Sequence, residues 1–162
     1  MTPQGRVRMI LRRIVAFVVA LAVMVVLGSA AHSYFVQQAW SMAAGRAGGT
    51  GPAAIPFADR ISWAAHDLGG MIQPYAALTA IALLIAFLGA GVLARFTGRR
   101  VMVFGVAGAA ALFTLFTVLR MVLGSVGIFG ARGAAGIAAQ MAVGLVAGVL
   151  FARLTAQKPS EG

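Results

Sequence analysis

The sequence predicts an all-α membrane protein: a four-transmembrane-helix bundle with an extracytoplasmic amphipathic helix between spans 1 and 2. Three observations predict it. Of the 162 residues, 61% are hydrophobic and only 10% are charged, outside the usual balance of soluble domains. The apolar residues gather into four runs, each near the roughly 20 residues that a helix needs to cross hydrocarbon. Within these runs Leu, Val, Ala and Phe follow one another without strand-like alternation, and in lipid a helix is the only open element that satisfies its own backbone. Residues 1–162 therefore read as a single integral membrane domain.

The first span is placed at Ile14 to Phe35. Its basic start and the small residues Ser29 and Ala31 also resemble a cleavable signal, but the apolar stretch is long for one, so a retained span is expected. An outer segment, 36–74, follows. Its Gly, Ala and Pro stretch from Ala43 to Pro56 reads as a loop. A short helix is expected after it, because Pro56 and Asp59 suit a helix start and Pro74 disfavours straight continuation. At 100° per residue, Ile61, Ala65, Leu68 and Ile72 share one face, while Asp59, Ser62, Trp63, His66 and Asp67 spread over the other. Such a helix would lie on the outer membrane surface or over the bundle mouth. Gly69 and Gly70 would allow a bend into the second span.

Spans two to four are placed at Tyr75 to Ala94, Val101 to Leu123 and Gly133 to Ala152. The short turn `RFTGRR` makes spans two and three an antiparallel hairpin, with Gly98 at the bend. Lys and Arg set the direction. Nine of them, Arg6, Arg8, Arg12, Arg13, Arg95, Arg99, Arg100, Arg153 and Lys158, fall on one side, against Arg46, Arg60 and Arg132 on the other. Both termini are therefore expected to be cytoplasmic. The formal charge of +10 is dispersed over the span ends, so nucleic acid is not an expected partner; the lipid bilayer is.

The polar inventory is concentrated. Two of the three acidic side chains, Asp59 and Asp67, lie in the outer segment with His66, and every His, Trp and Tyr falls between His32 and Tyr75. Tyr34, Trp40, Trp63 and Tyr75 read first as an interfacial aromatic belt. Arg120 lies about 30 Å along the third span, which suits either snorkelling to headgroups or pairing with Asp67 or Asp59. Asp59, His66, Asp67, Arg120 and Arg132 form the candidate polar cluster on the outer face.

Catalytic chemistry has little support. There is no cysteine, which removes thiolate metal sites and thiol catalysis. His32 and His66 lack a haem-ligation spacing, and adjacent His66 and Asp67 point about 100° apart on a helix, so they do not make a dyad by adjacency. No metalloprotease, P-loop, nucleophile-elbow or dinucleotide motif is present, and Gly124, Gly127 and Gly130 mark a bend or close-packing loop. No cofactor and no metal are expected.

The fourth span has the clearest pattern. Gly136, Gln140, Gly144, Gly148 and Ala152 recur every four residues, a groove of small side chains with a GxxxG pair. Gln140 lies in that groove, able to hydrogen-bond another helix or a polar ligand. The groove is the candidate packing surface, either within the bundle or toward a membrane-protein partner or a second copy.

The stretches `ISWAAHDLGGMIQPY` and `GARGAAGIAAQMAVGLVAGVLFARL` resemble small, uncharacterised four-span inner-membrane proteins of proteobacteria. The resemblance implies a bacterial inner membrane and transfers no catalytic residue. The first functional reading is a structural or accessory protein within a larger membrane complex. The second is a small carrier or binding protein for a lipid, quinone or other amphiphile, with the outer helix as a lid and Arg120, Arg132 or Gln140 as polar contacts. Enzyme action ranks third.

Overall fold

The computed structural model describes residues 3–46, 57–123 and 133–156. They form four helices: α1 (Pro3–Arg46), α2 (Phe57–Thr97), α3 (Arg100–Leu123) and α4 (Ala134–Leu154). No strand occurs among the described residues. Each helix contains a stretch long and apolar enough to cross a membrane: Pro3–Ala39, Tyr75–Thr97, Arg100–Val122 and Ala134–Leu154. The chain is a multi-pass, all-helical protein of the membrane class.

Consecutive helices pack side by side, and α4 closes the ring against α1. The tightest seam joins α3 and α4. It is tight because both backbones lack side chains where they cross: a Cβ added at Gly108 would overlap the Gly144 carbonyl, and one at Gly148 would overlap the carbonyl of Phe104. The small-residue groove is thus filled from within the chain. Gly136, Gln140, Gly144, Gly148 and Ala152 are all buried. Small residues on both helices let the backbones approach, and dispersion contacts then replace contacts with lipid.

The α2–α3 turn follows from one glycine. Gly98 has φ +66°, a left-handed conformation, and its N–H donates to the carbonyl of Ala94 at 3.2 Å. This is the five-to-one bond of a left-handed helix cap, and it sends the chain straight into α3. At the end of α4, Arg12 of α1 donates from Nε to the Leu154 carbonyl at 2.8 Å and from a terminal nitrogen to the Ala156 carbonyl at 2.5 Å. A guanidinium there meets carbonyls that have no helical partner and sits at the negative end of the helix dipole.

Two expectations need correction. The first span is part of a 44-residue helix that runs past Ala43 to Arg46, so the loop expected from Ala43 cannot begin there; residues 47–56 lie outside the described residues. Gln, Ala, Met and Trp after Phe35 offer no helix-breaking residue, and a helix does not stop where the membrane does. Nor is there a separate short helix ahead of the second span. α2 runs unbroken for 41 residues from Phe57 through Gly69, Gly70 and Pro74 to Thr97. Proline deletes one ladder hydrogen bond and leaves the rest intact, a loss that membrane helices tolerate when other groups satisfy the freed carbonyl. Ile61 and Ala65, from the expected apolar face, are exposed, as are Asp59, Ser62 and His66 from the polar one.

Candidate functional site

Polarity is divided along the bundle axis. Toward the arginine-rich end the interior is aromatic: Phe87 stacks on Phe151 with centroids 4.7 Å apart, Phe104 lies 5.6 Å from Phe87 and 5.2 Å from Phe151, and Phe17 meets Phe87 edge-on at 6.2 Å. These rings come from all four helices. Toward the other end the buried residues turn polar: Ser29, His32, Ser33 and Gln37 of α1, Thr79 of α2 and Gln140 of α4.

Gln140 ties the polar end together. It is 1% exposed, its Oε1 accepts from the Tyr75 hydroxyl at 2.7 Å, and its Nε2 donates to the Gly28 carbonyl at 3.0 Å. One side chain of α4 thus holds α2 and α1 together. Gly28 makes the approach possible, because a Cβ there would overlap the Tyr75 hydroxyl. Tyr75 is 3% exposed, so it belongs to the core and not to an interfacial belt. Its hydroxyl finds a partner inside the bundle, which removes the reason for its ring to seek the headgroups. Thr79 returns its hydroxyl to the Tyr75 carbonyl at 2.5 Å. Ser29 Oγ is buried with no hydrogen-bond partner.

A cleft opens at the aromatic end between α1 and α2. Its volume is about 680 Å³, its walls include Ile14, Leu84 and Leu88, and its floor is Phe87, Phe104 and Phe151. Arg13, Arg95 and Arg100 stand at its rim. Arg100 is the best placed of the three. Its guanidinium carbon lies 5.0 Å from the centre of the Phe104 ring, and a terminal nitrogen donates to Thr155 Oγ1 at 2.5 Å. Its Nε is buried and has no hydrogen-bond partner. A buried cationic donor left unsatisfied is costly.

The sequence-derived candidates lie elsewhere. Asp59 and His66 are exposed on the first turns of α2. Arg120 is exposed near the end of α3, which fits a side chain reaching for headgroups. Asp67 lies in α2, but its side chain is outside the described residues, as is Arg132 altogether, so the expected Arg120–Asp67 pair falls there too. Gln140 is brought to Tyr75 and Gly28, so both ends of its amide are engaged by other helices. Sequence reading missed the cleft, since Arg13, Arg95 and Arg100 count there only as topology signals. It also missed the polar stripe Ser29, His32, Ser33 and Gln37, although steps of three and four residues put these on one face of α1.

The fold and the cleft together define a class: a small polytopic membrane protein whose basic end carries an arginine-rimmed apolar recess. Comparison with protein-family models, with characterised proteins and with solved structures finds no match to this chain.

Proposed function

We propose that the protein binds an anionic amphiphile in the α1–α2 cleft, the head at Arg13, Arg95 and Arg100 and the tail along the aromatic floor. The observation that carries this reading is the convergence of Arg13, Arg95 and Arg100, from three helices, on one apolar recess. Arginine suits such a site because its planar fork gives paired hydrogen bonds to phosphate or carboxylate, and its weak hydration makes partial burial tolerable. The recess needs an apolar occupant, which a lipid tail supplies. The test is native mass spectrometry of the protein released from untreated membranes. A retained anionic lipid is expected, lost in Arg100→Gln and reduced in Arg95→Gln. A protein that flies without ligand, or a ligand indifferent to both changes, overturns the reading.

The topology is part of the same proposal. The excess of arginine at the cleft end supports placing that end and both termini in the cytoplasm of a bacterium, with the protein in its inner membrane. The Phe57–Pro74 stretch then projects outward and presents Asp59 and His66 to the extracytoplasmic side as an amphipathic extension of α2. A cysteine replacing His66 should react with a membrane-impermeant reagent in intact spheroplasts; reaction only after lysis refutes the orientation.

A second reading, an accessory subunit of a larger membrane complex, rests on a different surface from the α4 groove, which the chain itself fills. Between α2 and α3 lies an open apolar groove of about 850 Å³ that includes Ala82, Ala86, Gly89 and Ala110. A Cβ at Gly89 would meet nothing within 4 Å. Gly89→Leu should therefore fold normally and abolish co-purification with a partner helix; a partner retained through that change refutes this surface.

A further inference from the structure

We infer that the head of the ligand carries two anionic groups, a diphosphate or a pair of phosphates, the second seated in a basic pocket beside the cleft. The inference rests on the amphiphile-binding reading and extends it to the chemistry of the head. A pocket of about 540 Å³ adjoins the recess and is lined by Arg8, Arg12, Arg13, Arg100, Thr155 and Ala156. Arg13 and Arg100 line both cavities, so the two spaces meet at a shared pair of guanidinium groups. The first space is walled mainly by aliphatic and aromatic side chains, the second by arginines. An amphiphile bridging them has its tail in the one and its head in the other.

Charge decides how large that head must be. Counting Arg95 with the four arginines of the pocket, five guanidinium groups border the combined site, and among the described residues no carboxylate lines either cavity. Arg12 commits two nitrogens to the carbonyls of Leu154 and Ala156, which carry no formal charge, so only the partial negative charge of the helix end opposes it. Arg100 likewise directs its bonded nitrogen to the neutral hydroxyl of Thr155. A single anionic group at the cleft rim meets Arg95 and the shared pair but leaves Arg8 and Arg12 in one pocket without a counter-charge among the described residues. A second anionic group supplies that counter-charge, with Thr155 Oγ1 and the guanidinium forks as its hydrogen-bonding partners. Basic pockets between spanning helices at the membrane surface recognise multiply phosphorylated lipid heads on the same grounds.

The test uses the full-length protein in detergent micelles. Phosphatidylglycerol, with one phosphate, and cardiolipin, with two, are titrated separately, and inorganic pyrophosphate is titrated alone and as a competitor. Binding of the two-phosphate lipid about tenfold or more tighter is expected, because a charge-assisted contact contributes roughly a factor of ten in affinity. Arg8→Gln should bring the ratio toward unity, while Arg153→Gln, outside both cavities, should leave it where it is. Pyrophosphate that binds without lipid, and loses affinity in Arg8→Gln, identifies a soluble diphosphate as the source of the second group. Pyrophosphate that fails to bind alone, beside a retained preference for cardiolipin, identifies a lipid. Equal affinities for the two lipids, or a preference that survives Arg8→Gln, overturns the inference and leaves the cleft reading standing. Failure of both lipids and pyrophosphate to bind overturns the two together.

Discussion

Replacing Gly144 by alanine should destabilise the protein, whereas the same replacement at Gly89, on α2, should stabilise it. The Cβ of an alanine at position 144 would stand 2.8 Å from the Gly108 carbonyl carbon and overlap the carbonyl oxygen. Ordinary contact between carbon atoms begins near about 3.5 Å, so α3 and α4 must part by on the order of 1 Å. A gap of that size forfeits a large part of the dispersion well along the seam, and overpacking of this kind costs about 1–3 kcal/mol. The obstacle is backbone, which cannot rotate away, so the upper part of that range applies. Alanine recovers up to about 1 kcal/mol of helix propensity. The net expectation is a loss of about 2 kcal/mol. At Gly89 only the propensity gain operates, because nothing stands within 4 Å of the new Cβ. Reversible unfolding in mixed detergent and dodecyl sulfate micelles, with the two variants measured side by side, gives the sign of each change. Equal stabilities, or a Gly144→Ala variant more stable than the parent, would refute the α3–α4 seam.

Other consequences follow from single contacts. Gln140→Leu removes the acceptor of the Tyr75 hydroxyl and the donor to the Gly28 carbonyl, and should lower stability by about 1–2 kcal/mol in the same unfolding assay. Tyr75→Phe leaves the Gln140 amide its Gly28 contact, so a smaller loss is expected. Gly98→Ala must hold φ +66° and should cost about 1–2 kcal/mol, read in the same titration. Arg12→Gln should fray the last turn of α4, seen as faster amide exchange near Leu154 with little change in global unfolding.

How much of this was legible depended on whether a feature is local in the chain. The four spans could be read because about 20 apolar residues form one contiguous signal. Helix ends were less legible: the length of a span says nothing about residues beyond it, and α1 and α2 both continue as helix past the Phe35 and Tyr75 limits. Gly98 announced its turn because positive φ has a residue-type signature. The repeat from Gly136 to Ala152 announced close packing, yet not its partner, since Gly105 and Gly108 lie on another helix with an unremarked spacing of their own. The cleft was illegible for the same reason. Arg13 lies nearly three turns into α1, Arg95 in the last turn of α2 and Arg100 at the start of α3, and each taken singly is what the positive-inside rule already demands. Only packing converts three topology signals into one rim.

That double use of arginine favours the proposed site at the aromatic end over one among Asp59, His66 and Asp67. A basic end placed by insertion rules already supplies cations, and α1 and α2 need only leave a gap beside Phe87 and Phe104 for those cations to face an apolar recess. The polar end behaves in the opposite way. Gln140, Tyr75 and Thr79 direct their hydrogen bonds to one another and to backbone, which ties α1, α2 and α4 together there. A ring of helices pinned at Gln140, with a cleft between α1 and α2 at its arginine-rich end, suits the proposed binding of a tail entering sideways from the bilayer. Loosening the pin should therefore weaken tail binding at a distance: Gln140→Leu, at a position outside the cleft lining, should lower lipid retention along with stability. Full retention in a measurably destabilised Gln140→Leu protein would show that the two ends act independently.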